Sequence, residues 1–591
     1  MRIKQWDRQR LISCAMGEIP ADLRIENVQV FNVFTGEIYP AAVDVLDGII
    51  VYVHPAGEKP ANEAKAYYDG RGGYLLPGYI DTHMHVESTM MTPRNFGNAA
   101  IACGTTTVVV DPHEIANVMG IDGVRYMVAD AVHSPLRQLN LAPSCVPAVP
   151  GLEESGASFT KEDIAHMLSM PGIYGIAEVM DFIGVQQRDP RMMGILAEGL
   201  RKDVLIQGHA PRIWGKELAA YILGGPVDNH DVRTGAECLS NLRQGMRINV
   251  KTSSLTKEGV DDMVAGIRQT RYQDMVSLCT DDVHAKDLLE TGHINRVVRA
   301  LITEGVDPRD AIRWGTYNGA RDIGVEDIGA IGPGYVADLQ LVGEMAGQNP
   351  FAVFVEGKLV YQDGVLMERG GNPSWDFPNT VHLPLLSAAS FGLRAPHNAG
   401  DQVRCAIVPC GPGGRPGKEP AYEMLPVAHG QVVIQDDPNL CFLTVINRHG
   451  KDNQATAVYR NLGLIEGALA ATMGHDSHNL TIAYKNPKDA LVAADYLKAQ
   501  GGGICTVLDG KILYGLPLPV AGLMSHLPAE ELVKELTKLE TSVGQICTSP
   551  SLMMRITILS LTASPDLRLS DLGLVDGRRQ AFVPLFPDTV E

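Results

Sequence analysis

A chain of 591 residues is too long for one hydrophobic core and divides into about two to four domains. Its 45% hydrophobic and 20% charged residues suit a globular α/β protein, and a formal net charge of -19 without a clustered basic run excludes a nucleic-acid backbone as partner. No apolar stretch reaches the roughly eighteen residues of a membrane span, MRIKQWDRQR is not a signal peptide, and the ten cysteines form no Cys-x-x-Cys pair, so a cytoplasmic, non-membrane protein is expected.

From about residue 23 to 74, short alternating segments such as IENVQVF (25–31) and AVDV (42–45), punctuated by Gly and Asn, predict small antiparallel sheets. From 77 to about 331 the texture changes to apolar strands alternating with helical stretches. One strand leads into His83, and others are read at 106–110, 139–147, 173–178, 204–207, 227–230, 247–252 and 276–279. Eight such units in one span predict an α/β fold built on a (β/α)8 barrel at 77–331. Strand-like patterning returns at 331–339, and FAVFVEGKLV (351–360) reads as strand, turn and strand. The small β domain is therefore expected to be discontinuous, 1–76 with 332–370. A polar linker at 370–379 leads to an α+β domain at 385–591. There, Gly501-Gly502-Gly503 is followed by no Gly-Lys-Ser/Thr, so it reads as a turn into a strand and not as a phosphate loop.

His83 and His85 stand at i and i+2, where two imidazoles on a strand share one face and can grip one metal ion. The strand emerges from a Pro-Gly turn, placing the pair at the carboxyl end, where barrel enzymes keep their chemistry. Glu178, His209, His230 and Asp281 each lie at or just past the end of an apolar run. Taken singly these are a capped loop acid, two loop histidines and a helix N-cap ahead of Val283. Taken together, at successive barrel mouths, the six read as a metal site whose imidazole and carboxylate donors suit Mn, Fe or Zn. His113 and Glu114 follow strand two and either face the mouth or cap the next helix. Asp282 is a candidate for orienting a ligand. His475 and His478 share a face if helical, and otherwise belong to a turn capped by Asp476 or Ser477.

The segments 77–91 (PGYIDTHMHVESTMM), 111–120 (DPHEIANVMG), 176–180 (IAEVM), 208–211 (GHAP), 228–231 (DNHD), 280–282 (TDD) and 292–296 (GHINR) resemble the amidohydrolase superfamily, and within it the bacterial-type adenine deaminases. The likeness continues past the barrel in 474–480 (GHDSHNL) and 516–525 (LPLPVAGLMS). It implies two divalent metals, manganese or ferrous iron ahead of zinc. His83 and His85 would hold one and His209 and His230 the other, with Glu178 between them and Asp281 contacting metal and water. It further implies deamination of adenine to hypoxanthine and ammonia. Water at neutral pH is too weak a nucleophile, and a metal supplies a stronger one. Asp281 would take the proton and pass it to the leaving amine, while Glu114, His113 and Asp282 would serve the purine. Departures fall at 212–215 (RIWG), where a Gly-rich continuation is usual, and at Asp231, where Glu is usual; both bear on substrate preference. The rival readings are hydrolysis of a cyclic amide or N-acyl group, and a non-catalytic binding protein on the same fold. A homo-oligomer is the base expectation.

Overall fold

The computed structural model describes residues 1–591 apart from 56, 59, 253–254, 368–374, 436 and 588–591. Eight parallel strands, Tyr79–Met84, Thr105–Val110, Arg137–Ala142, Ile173–Val179, Leu205–Gly208, Asp228–Asn229, Arg247–Val250 and Val276–Leu278, lie side by side in chain order. Val227 N–H donates to Ile206 O at 3.1 Å between the fifth and sixth, and Asp281 N–H donates to His83 O at 3.0 Å between the eighth and first, which closes a (β/α)8 barrel. Thr105–Val110 is buried on both faces, as a parallel strand between an inner core and an outer helix must be, and its sequence TTTVVV is β-branched throughout. Ile80, Val109, Leu139, Leu141 and Ala177 fill the barrel floor.

The third strand is shorter than the 139–147 run suggests. It ends at Ala142 because Pro143 has no N–H to donate, and 143–147 form loop. At 331–339 only the last residue enters a strand, Leu339–Val342; the Gly332-Pro333-Gly334 turn, with Gly334 at φ 89°, bends the preceding segment out of extended structure.

A nine-stranded sheet takes strands from both flanks of the barrel segment. Its order runs Val365–Leu366, Lys358–Gln362, Ala352–Val355, Leu339–Val342, Tyr74–Pro77, Ala21–Phe31, Ile38–Leu46 and Ile49–Pro55, with Ala64–Asp69 also paired to Ala21–Phe31. The sheet is mixed and not purely antiparallel. The chain runs on in one direction through 64–77, so Ala64–Asp69 and Tyr74–Pro77 both lie parallel to Ala21–Phe31. Of the expected linker, 370–374 lie outside the described residues; beyond them, Trp375 Nε1 donates to Asp130 Oδ1 at 3.1 Å on the barrel helix Ile121–Ala131.

The carboxyl-terminal part is a ten-stranded sheet with a helix on each face. Strand Leu440–Ile446 sends Cys441, Leu443 and Val445 to one side and Leu440, Phe442 and Ile446 to the other, the two-residue period of a strand buried twice. The second side packs on helix Pro487–Gln500, which ends at Gly501 in the left-handed conformation before strand Gly503–Leu508, so the triple glycine is a turn into a strand. The first side packs on helix Ala529–Ile546, and the same apolar cluster continues into Met84, Met91 and Phe96 of the barrel. The carboxyl-terminal part thereby sits over the mouth of its own barrel. Leu532 lies at that junction and is fully buried. Leu532→Ala is expected to destabilise by about 2–5 kcal/mol, read as a lower guanidinium midpoint; an unchanged midpoint would contradict a shared core.

Candidate active site

Strand one delivers two donors to the mouth, and strands four, five, six and eight deliver one each. Glu178 occupies the centre, 3% exposed, with its two oxygens facing different histidine pairs. Oε1 lies 3.8 Å from His83 Nε2 and 3.3 Å from His85 Nε2. Oε2 lies 2.8 Å from His209 Nδ1 and 3.3 Å from His230 Nε2. Asp281 Oδ1 stands on the first pair's side, 3.3 Å from His85 Nε2 and 3.8 Å from His83 Nε2. All six expected ligand residues therefore converge.

The ring orientations are set from behind. Gln207 Nε2 donates to Thr82 O at 2.6 Å, which turns its Oε1 towards His83 Nδ1 at 2.9 Å. His83 must then carry its proton on Nδ1 and keep a lone pair on Nε2. His85 does the same, its Nδ1–H donating to Asp111 O at 3.1 Å. Burial and the neighbouring His230 push the His83 imidazole well below its usual pKa, so it is neutral and free to ligate. His83 Nε2 and Glu178 Oε2 are buried and make no hydrogen bond, the second being close to His209 but out of line for one. A cation between the histidine pairs would satisfy both, so the donor set fits a divalent metal.

Asp281 is held in place on two sides. Its backbone is left-handed, φ 57°, and follows Thr280, whose N–H donates to Asp81 Oδ1 at 3.1 Å within strand one. Asp81 Oδ2 also lies 3.1 Å from His293 Nε2, so the GHINR segment braces the site from below. On the cavity side, Lys251 Nζ donates to Asp281 Oδ2 at 2.5 Å and stands 3.5 Å from Asp231 Oδ1. Burial works against ionising Asp281, but the Lys251 ammonium outweighs it and holds the carboxyl well below the usual range. Burial likewise opposes the charge on Lys251, and Asp281 and Asp231 together push its pKa up.

His113 Nδ1 donates to Asp111 Oδ2 at 3.0 Å, and its Nε2 faces Glu114 Oε1 at 3.6 Å and Asp476 Oδ1 at 3.7 Å. Both Glu114 oxygens are taken by the carboxyl-terminal part: Oε1 by His475 Nδ1 and Oε2 by His478 Nε2. The 475–478 segment is a turn, not a helix, between strands Ala468–Ala471 and Leu480–Tyr484, and His478 is left-handed at φ 53°. Asp282 accepts from Ser88 Oγ at 2.5 Å. His113, Glu114, Asp282, His475 and Asp476 line a cavity of about 630 Å³ between barrel mouth and carboxyl-terminal part, roofed by Met554, Ile558 and Leu561. Its size falls within the about 300–1,000 Å³ of small-molecule sites. Asp231 lines it but is engaged by Arg233 Nη2 at 2.9 Å, and residues 212–215 stand outside its lining.

With this arrangement in view, the chain's relatives are informative. Residues 74–360 match the amidohydrolase family and residues 418–581 the adenine deaminase C-terminal domain. Over 580 residues the chain is 37% identical to adenine deaminase 2 of Carboxydothermus hydrogenoformans, covering 97% of this chain and 99% of that protein. It is 36% identical to the adenine deaminase of Ruegeria pomeroyi, covering 96% of each. The chain belongs to the adenine deaminase family. Among solved structures, an adenosine deaminase from Xanthomonas campestris with bound zinc aligns with 59% of this chain and 95% of its own, at 17% identity and TM-score 0.45.

The sequence assigns no role to three residues of the site, Lys251, Gln207 and Asp111. Lys251 closes strand seven in the run RINVK, and a lysine ending a buried apolar strand at a barrel mouth is the signal that would have found it. Gln207 precedes Gly208-His209 and Asp111 precedes His113 by two, yet nothing in either local pattern discloses a bond to a distant imidazole. Replacing Gln207 by Leu removes the acceptor that fixes the His83 tautomer. Metal affinity is expected to fall about 10–100-fold, measured by competition with a chromophoric chelator, with the fold retained; unchanged affinity would contradict that role.

Proposed function

We infer that the chain hydrolyses the exocyclic amine of adenine, yielding hypoxanthine and ammonia. The observation that carries this reading is identity of 36–37% across at least 96% of the chain to adenine deaminases, with the barrel's donor set intact. The site takes a divalent metal. We assign two ions, manganese or ferrous iron in preference to zinc. His83 and His85 hold one, His209 and His230 the other, Glu178 lies between them, and Asp281 completes the set. In support, the two Glu178 oxygens face separate histidine pairs. When bound, the metal lowers the pKa of a water enough for attack at neutral pH.

Asp281 is assigned as the group that accepts the water's proton and delivers it to the departing amine. Lys251 occupies its Oδ2 and leaves Oδ1 towards the histidines, which supports that division of labour. His113 and Asp282 are assigned to the purine-facing wall, and Glu114 acts from behind it, since both its oxygens are engaged.

We divide the chain into a discontinuous β domain, 1–76 with 332–370, a catalytic barrel, 77–331, and a carboxyl-terminal domain, 385–591. The sheet that draws strands from both flanks supports the first of these. The ten cysteines are buried free thiols, in keeping with a reducing cytoplasm. Among the described residues no helix is long and apolar enough to cross a membrane. A homo-oligomer is proposed from the frequency of closed symmetric assemblies.

Adenine turnover, followed by ultraviolet absorbance and ammonia release, is expected to disappear on chelation and return with manganese or ferrous iron. Hydantoin turnover exceeding that of adenine would overturn the substrate. Asp281→Asn is expected to lower kcat by about 10²–10⁴-fold; a wild-type rate would remove Asp281 from the proton path.

A further inference from the structure

The turn at 475–478 reaches across from the carboxyl-terminal part and closes on Glu114 at the barrel mouth. Glu114, His475 and His478 offer ligand atoms within 4.8 Å of one another, which is also a metal-like geometry. The hydrogen bonds decide against a metal there. Gly474 N–H donates to His478 Nδ1 at 3.2 Å, so that nitrogen carries the lone pair and the proton resides on Nε2. His478 Nε2–H then donates to Glu114 Oε2 and has no lone pair to give a cation. Glu114 is a carboxylate receiving two donors, and its Oε1 takes the Nδ1–H of His475.

The backbone of His475 is pinned as firmly as its ring. Its N–H donates to Thr557 O at 2.8 Å, and Ser560 Oγ donates to its carbonyl at 3.2 Å. Its remaining ring nitrogen, Nε2, makes no hydrogen bond to the described residues. Unlike Nε2 of His113, it is not sealed off, and His475 lines the cavity beside Asp282. A histidine gripped at one nitrogen by a carboxylate, with the other presented to an open cavity, is arranged to meet a ligand.

We propose that His475 is a substrate-contacting residue, whose Nε2–H donates a hydrogen bond to a lone pair on a purine ring nitrogen beside the exocyclic amine. Glu114 and His478 are its positioning residues. The inference rests on the reading above that the purine lies at the barrel mouth. Adenine offers one such acceptor on each side of the amine: N1, bonded to the amine-bearing carbon, and N7, one bond further away through C5. Burial lowers the affinity of His475 for a second proton, but the Glu114 carboxylate more than offsets this and pushes the pKa up to about 9. That shift favours the doubly protonated ring, in which Nε2 is a donor like Nδ1. The contact also explains why a barrel that already carries the metal donors needs the carboxyl-terminal part to complete its substrate wall.

The test compares wild type, His475→Leu and His475→Gln, each loaded with manganese and checked for metal content. His475→Leu is expected to keep its metal and lose roughly 10–100-fold in kcat/KM for adenine, as for a hydrogen bond from a charged donor. His475→Gln, which keeps an N–H near the Nε2 position, is expected to recover part of that loss. Inhibition constants for purine, 1-deazapurine and 7-deazapurine give a second readout. Wild type is expected to bind one deaza compound more weakly than purine, and His475→Leu to lose that preference. Wild-type kcat/KM in metal-loaded His475→Leu, or a deaza preference untouched by either substitution, would overturn the proposal. A wild-type enzyme that releases no hypoxanthine would instead overturn the functional reading, so the two failures are separable.

Discussion

The Glu178 carboxylate, buried among four imidazoles, is the constraint on which the rest of the structure depends. A fully buried carboxylate is tolerated only with compensating charge or donors on both oxygens, and here each oxygen faces its own histidine pair. That geometry requires strands one, five and six to end at matching heights around strand four. Only a closed barrel in parallel register supplies such an arrangement. The same requirement explains the buried polar atoms without hydrogen bonds at His83 Nε2 and Glu178 Oε2, which are affordable where a cation completes them.

Around this centre the protein fixes its donors from behind through hydrogen bonds and one ion pair. Gln207 and the Asp111 carbonyl turn the strand-one histidines, and Asp81 ties strand one to the end of strand eight so that Asp281 arrives in a left-handed backbone. Lys251 then holds one Asp281 oxygen away from the histidines. These contacts fix tautomer and direction before any ligand arrives, which is how a preorganised site avoids reorganisation during reaction. The carboxyl-terminal part contributes a roof through 551–568 and a wall through the 475–478 turn, anchored by the apolar cluster shared with the barrel. The buried acidic surroundings extend to Glu87, where burial and the neighbouring Glu114 push the carboxyl up to about 7.

Much of this was legible in the chain. The strand ends were legible as a set, because six ligand-type residues at successive strand ends share one role that none of them signals alone, and His83, His85, Glu178, His209, His230 and Asp281 all meet at one point. The eight strands were legible for the same reason, although the run at 139–147 concealed the break at Pro143 and the glycine turn at 332–334 interrupted an apparently continuous strand. What escaped was set by tertiary pairing. Lys251 makes sense only beside Asp281, and the choice for Glu114 between facing the mouth and capping a helix turns on His475 and His478, more than 350 residues away, which take both its oxygens. The parallel pairing of Ala64–Asp69 with Ala21–Phe31 was equally hidden, because alternation marks a strand without stating the direction of its neighbour.

The proposed function has one carboxylate, Glu178, joining two metal positions. Anomalous diffraction from crystals of manganese-reconstituted protein, collected at the manganese edge, tests it most directly. Two peaks are expected, one against His83 and His85 and one against His209 and His230, each within ligand distance of a different Glu178 oxygen. A single peak, or a second peak remote from Glu178, would contradict it.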